Sequence, residues 1–112
     1  MPRLYYLVDV FGTAPFTGNP LAVVQDAEGL TTEEMQAIAR WFNLSETTFL
    51  LRPTDPAADY KVRIFTPVHE LPFAGHPTLG SAHVWQARGI QTKRENLITQ
   101  ECGAGLVTVR RD

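Results

Sequence analysis

The sequence has little of what several protein classes require. It carries one cysteine, Cys102, in 112 residues, which excludes an internal disulfide framework and fits a reducing cytoplasm. No apolar run approaches the ~20 residues of a membrane-crossing helix, and the opening MPRLYYLVDVF lacks the layout of a secretory signal. Basic charge is not in excess: ten Lys and Arg stand against twelve Asp and Glu, a formal charge of -2. That balance gives no electrostatic footprint for nucleic acid or for an anionic membrane. Internal repeats and low-complexity tracts are missing too. What remains, 44% hydrophobic and 20% charged residues, is ordinary globular composition. The expectation is a soluble cytoplasmic domain with a single core, of a size that buries about two-thirds of its surface.

The apolar pattern then divides the chain. Residues 3–11 are rich in aromatic and β-branched side chains and read as a strand, 12–20 as a loop dense in Gly, Pro, Thr and Asn, and 21–25 as a second short strand. Thr31 followed three residues later by Glu34 is a capping box, with Leu30 and Met35 set for a hydrophobic staple. Met35, Ile38, Ala39 and Phe42 recur on one helical face, and Asn43 suits a left-handed stop, so the spacing predicts a helix over about 31–42. Strands follow at 45–53 and 60–67. A second helix is expected over about 77–88, stopped by Gly89, and strands at 95–100 and 105–111 make a hairpin across ECGAG. The second helix holds Gly80, Ser81 and Ala82 near its start. A glycine inside a helix costs about 1 kcal/mol against alanine, which implies that something packs closely there and that the helix is enclosed. The order β-β-α-β-β-α-β-β gives an α+β domain, a mostly antiparallel or mixed sheet curled around the second helix. The terminal strand AGLVTVRRD stops without a cap or tail, which suggests a chain that continues.

Three stretches carry residues suited to chemistry. In ELPFAGHPTLG, residues 70–80, Pro77 suits a first helical position and makes His76 the expected N-cap. The amides of Thr78 and Leu79 would then face outward at the positive end of the helix dipole, an arrangement suited to a carboxylate. On spacing alone, the cap outweighs a substrate contact. In NLSETTF, Glu46 lies where a helix ends and a strand opens, between apolar Leu44 and Phe49. It reads as a solvated carboxylate or as an acid–base group. In FTGNP, Gly18 and Asn19 build a turn or offer donors and acceptors to a ligand. Glu70 has a partner within reach in His76 or an arginine, although a solvated loop carboxylate is the simpler reading.

Other apparent sites are excluded. His69, His76 and His83 are spaced seven apart, but two helical turns separate the latter pair by about 10 Å, too far to share one metal. Cys102 sits in a hairpin turn without a neighbouring base. GHPTLG lacks the lysine of a phosphate loop.

Taken together, VDVFGTAPFTGNPLAVV, NLSETTFLL and RIFTPVHELPFAGHPTLGSAHV resemble the phenazine-biosynthesis PhzF-like family, over about residues 4–110. The resemblance implies a diaminopimelate epimerase-like fold of two similar lobes. In each, a barrel-like sheet wraps a central helix (here about 77–88), the other helix (about 31–42) lies outside, and the active site falls between the lobes. On that pattern residues 1–112 are the N-terminal lobe, and the second lobe is absent from the chain. The implied activity is a cofactor-independent, metal-free isomerisation that moves a proton between carbons of a small, cyclic or amino, carboxylic acid. Glu46 matches the family's proton-transferring glutamate and His76 the histidine of its GHP motif, while Gly75, Pro77, Thr78 and Asn19 match the substrate-holding surroundings. Ala74 stands where related epimerases carry a cysteine, which disfavours a two-thiol mechanism. The implied partner is a second lobe or a second copy. The alternative is a small-molecule-binding or assembly domain without turnover.

Overall fold

A computed structural model describes residues 5–10, 18–87, 92–93 and 96–110. The expected loop over 12–20 falls outside the described residues up to position 17. So do the strand ends expected at 3–4, 11, 95 and 111, and the helix stop at 88–89. The elements are β1 (Tyr5–Val10), β2 (Asn19–Val24), α1 (Thr32–Phe42), β3 (Thr47–Leu51), β4 (Tyr60–Phe65), β5 (Glu70–Leu71), α2 (Gly75–Ala87), β6 (Leu97–Cys102) and β7 (Gly105–Arg110). The strands form one mixed sheet in the order β1-β2-β3-β4-β6-β7, with β5 added to β4.

Neighbours are antiparallel except β2 with β3 and β4 with β6, and each of these parallel pairs is joined through a helix. Such crossovers are right-handed in nearly all proteins. Because β3 and β4 run oppositely, the two crossovers place α1 and α2 on opposite faces of the sheet. The core divides accordingly. Leu21, Val23, Leu50, Val62 and Ile64 pack with Ala82, Val84 and Trp85 of α2, while Val24, Phe49 and Phe65 pack with Met35 and Ala39 of α1. This double covering explains why LAVV in β2 is a continuous apolar run rather than an alternating one.

Local sequence signals set α1. Thr31 Oγ1 accepts the Glu34 N–H at 3.1 Å, Glu34 Oε1 accepts the Thr31 N–H at 2.8 Å, and Asn43 closes the helix at φ 56° with its N–H on the Ala39 carbonyl. At the far end of the sheet, Glu101 clamps the loop after β3. It accepts the N–H groups of Thr54 and Asp55 at 2.7 and 2.9 Å and also the Thr54 hydroxyl. The hydroxyl bond is the main reason its carboxyl lies below the usual carboxylate range. A depressed folded value stabilises above the unfolded carboxyl's range and is lost as pH falls through the folded value. Glu101→Gln is therefore expected to flatten the acid limb of a pH–stability profile below about pH 4. The change will be modest, because water screens an exposed group.

Two expectations for α2 need correction. The sheet does not close: among the described residues β1 pairs only with β2 and β7 only with β6. The helix is accordingly embedded on several sides but not encircled. Pro77, Thr78, Gly80, Ser81, Ala82, Val84 and Trp85 are buried, whereas Leu79, His83 and Ala87, one stripe at a four-residue spacing, are exposed. The barrel is an implication of the family resemblance and the enclosed helix a reading of its small residues, but closure also needs a partner for the two sheet edges. The second correction is the start, which is Gly75 rather than Pro77. His76 therefore lies inside the first turn and is not the N-cap. Pro77 is still tolerated, since its missing N–H falls among the first-turn groups that have no helical acceptor.

The close packing expected at Gly80 is present. A Cβ there would collide with Leu21 Cδ2 and press Val10 Cγ2 at 3.1 Å. Gly80→Val adds three carbons to this contact and is expected to destabilise by about 1–3 kcal/mol or more despite the loss of a helix glycine. Chemical denaturation reads the effect directly.

Candidate active site

The site begins with strand alternation. Side chains in β3 alternate between the sheet faces, and Leu50 packs on the α2 face while Phe49 packs on the α1 face. Positions 46, 48 and 50 thus share the α2 face. The helix runs alongside them in the same direction: Ser81 Oγ donates to Thr48 Oγ1 at 2.8 Å, and Leu50 shares its core cluster with Trp85. One step toward the start of both elements, Glu46 Oε1 lies 2.9 Å from His76 Nε2. Residues 30 apart in sequence meet because strand and helix are parallel and in step.

Both side chains of this pair are 16% exposed. The two atoms are at contact distance but off the alignment of a formed hydrogen bond, so their separation fixes proximity rather than a locked bond. A carboxylate is a proton acceptor and an imidazole a donor or acceptor at neighbouring atoms. Placed together at the edge of a core, with part of each side chain still exposed, they are groups of the kind that general acid–base chemistry uses.

Of the other expected site residues, Gly75 is exposed beside His76. Asn19 opens β2, opposite Val10, and shares the α2 face with Leu21 and Val23. The parallel register of Ala22 with Thr47 carries it to the same end of the sheet as Glu46. Pro77 and Thr78 are buried. The Thr78 amide donates to the Ala74 carbonyl at 3.3 Å and its hydroxyl to the same oxygen at 2.8 Å, so the outward-facing Thr78 amide expected from the sequence is not found. Glu70 does have an arginine partner: Arg63 forks onto it at 2.7 and 2.8 Å, tying β5 to β4. That hydrogen bonding holds the Arg63 guanidinium above its ordinary value.

The sequence reading missed a buried polar chain beneath this turn. Gln100 Nε2 donates to Thr78 Oγ1 at 3.2 Å, and Gln100 Oε1 accepts the Tyr60 hydroxyl at 2.9 Å. Burial, helped by the charges of Asp59 and Cys102, pushes the Tyr60 phenol well above its usual range, which keeps it a donor. The available signal was an amide between Ile98 and Cys102 on the core face of β6.

Two cavities, of about 450 and 480 Å³, lie away from Glu46 and His76. One is at the far end of α2, by Asp26, Arg52, Asp59 and Trp85, and the other is between β1 and α2, by Tyr6, Asp9 and His83. The first has no imidazole in its lining, and the second brings Asp9 and His83 together without Glu46 or His76. Glu46 and His76 lie outside both cavities, with their facing oxygen and nitrogen shielded from solvent and the rest of each side chain partly exposed. Among the described residues no cluster of His, Cys, Asp and Glu fits a metal ion, and no helix is long and apolar enough to cross a membrane.

The chain is similar to known proteins over most of its length. A family model described as phenazine biosynthesis-like protein matches residues 8–112. Antisense-enhancing sequence 1 of Schizosaccharomyces pombe is 53% identical over 105 residues, 94% of this chain and 36% of that protein. The trans-2,3-dihydro-3-hydroxyanthranilate isomerase of Pseudomonas aeruginosa is 49% identical over 96 residues, 86% of this chain and 33% of that protein. The crystal structure of a Bacillus anthracis phenazine biosynthesis protein of the PhzF family superposes with a TM-score of 0.85 at 36% identity, covering 98% of this chain and 36% of that one. The chain thus spans about a third of the length of the relatives it matches.

Proposed function

The chain belongs to the phenazine biosynthesis-like (PhzC-PhzF) family, and from that premise we propose that it is the first lobe of a cofactor-independent isomerase. Its reaction is proton transfer from one carbon to another of a small carboxylate-bearing substrate. Relatives are named isomerases. The observation that carries the reading is the 2.9 Å approach of Glu46 Oε1 to His76 Nε2. In the proposed step the Glu46 carboxylate accepts a proton from a substrate carbon, and the released electron pair moves into the adjacent unsaturated system. The Glu46 carboxyl then returns the proton to another carbon of that system, so atoms and charge balance without an external acceptor. His76 orients the substrate, whose carboxylate meets the positive end of α2 at its start, Gly75. Asn19 reaches the same end of the sheet. A second lobe, or a second copy of this one, covers the exposed side of the pair, and the protein works in the cytoplasm.

The test is turnover of trans-2,3-dihydro-3-hydroxyanthranilate, and of other small cyclic carboxylic acids, by the chain alone and joined to a second lobe. The reading expects conversion that neither a chelator abolishes nor an added cofactor accelerates. Conversion that requires an added metal or redox cofactor would refute it. Tight binding with no conversion in either form supports the binding module instead.

A further inference from the structure

We infer that Gln100 is a positioning residue: through Thr78 it fixes the first turn of α2, and with it the direction from which His76 meets Glu46. The functional consequence rests on the reading of Glu46 and His76 as the reacting pair, but the positional claim stands on the buried chain itself. Gln100 is fully buried and uses both ends of its amide, one on Tyr60 of β4 and the other on Thr78 of α2. Thr78 in turn places its hydroxyl and its N–H on the Ala74 carbonyl, where the helix begins. The relay therefore runs from the middle of the sheet to the helix start, and His76 lies two residues before its last side chain.

Packing alone does not call for an amide here. The neighbours on the same face of β6 are Ile98 and Cys102, and an apolar side chain of similar volume would fill the space without the cost of desolvating a polar group. What an amide adds is direction, since two hydrogen bonds of fixed geometry allow one placement of the turn above them. The side-chain direction on a helix follows from backbone position, so fixing Thr78 fixes His76.

The experiment uses the 112-residue chain with Gln100→Met, Thr78→Val and Thr78→Ser. Three quantities are read: the imidazole nitrogen and carbon resonances of His76, the unfolding midpoint, and kcat and KM. Gln100→Met and Thr78→Val are expected to shift the His76 signals. Misplacement of a reacting group by about 1 Å costs on the order of 10²-fold in rate, so kcat should fall by about that factor with KM little changed. Thr78→Ser, which keeps the hydroxyl, is expected to restore both. A lowered midpoint with His76 signals unmoved would overturn the inference, because that is what a merely structural role gives. If Gln100→Met does not fold, Tyr60→Phe removes only the far donor and is read in the same way. If the wild-type chain shows no turnover, the proposed reaction fails for the chain alone, while the His76 signals still decide the positional claim.

Discussion

Replacing Glu46 by glutamine is expected to lower turnover by about 10²- to 10⁴-fold, the range that general acid–base groups contribute. The comparison is made in whichever form the wild-type sequence turns over, alone or with a second lobe. Glutamine keeps the length and shape of the side chain, so the start of β3, the Thr48–Ser81 bond and the approach to His76 need not change. It removes only the basic oxygen. The loss should therefore fall on kcat, with KM within a few-fold of wild type, as expected when an interaction needed only in the transition state is removed. Turnover equal to wild type would remove Glu46 from the mechanism whatever else the site does.

The second large effect is on stability. Trp85 is 4% exposed and stacks on the buried ring of Tyr60, centroids 5.5 Å apart and planes 30° from parallel. It anchors the end of α2 remote from His76, where Leu50 and Ile98 complete the packing. Trp85→Ala removes this anchor and leaves a cavity the surrounding strands cannot fill. It is expected to cost about 3–5 kcal/mol, a large share of the roughly 5–15 kcal/mol that holds a domain together. For a domain of this size the melting temperature should fall by roughly 15 °C or more. Trp85→Phe keeps a ring against Tyr60 and should lose much less. A loss below about 1 kcal/mol for the alanine variant would mean that α2 is not anchored there.

How much of this was legible in the sequence follows the range of the forces involved. The limits of α1 could be read because its signals are local, with Thr31, Glu34 and Asn43 acting within a turn of one another. Close packing at Gly80 was legible because an interior glycine has a cost that needs a reason. The start of α2 was misread by two residues, because proline is acceptable at several first-turn positions and the hydroxyl bond of Thr78 to Ala74 decides among them. The two-residue strand β5 was too short for periodicity to reveal. Closure of the sheet depends on what meets its edges, and no local pattern in β1 or β7 encodes that.

The candidate site was legible unevenly. Glu46 and His76 each drew a structural reading when taken singly, and the resemblance of their motifs to a family gave them functional roles. Their meeting depends on the parallel, in-step run of α2 along β3, a long-range arrangement that spacing does not express. Gln100 passed unnoticed because a single polar residue in a strand ordinarily faces solvent. Only the placement of Ile98 and Cys102 in the core shows that position 100 faces inward.

The central claim is that Glu46 carries a proton between two carbons of one substrate, and deuterium tests it most directly. The wild-type protein and Glu46→Gln are incubated with trans-2,3-dihydro-3-hydroxyanthranilate in heavy water, and the product is read by NMR. A carboxyl that remains partly exposed exchanges its proton with solvent before returning it. The account therefore predicts deuterium at the carbon that gains the proton with the wild type, and on the order of 10²-fold or more slower incorporation with Glu46→Gln. Incorporation at equal rates in the two proteins would contradict it.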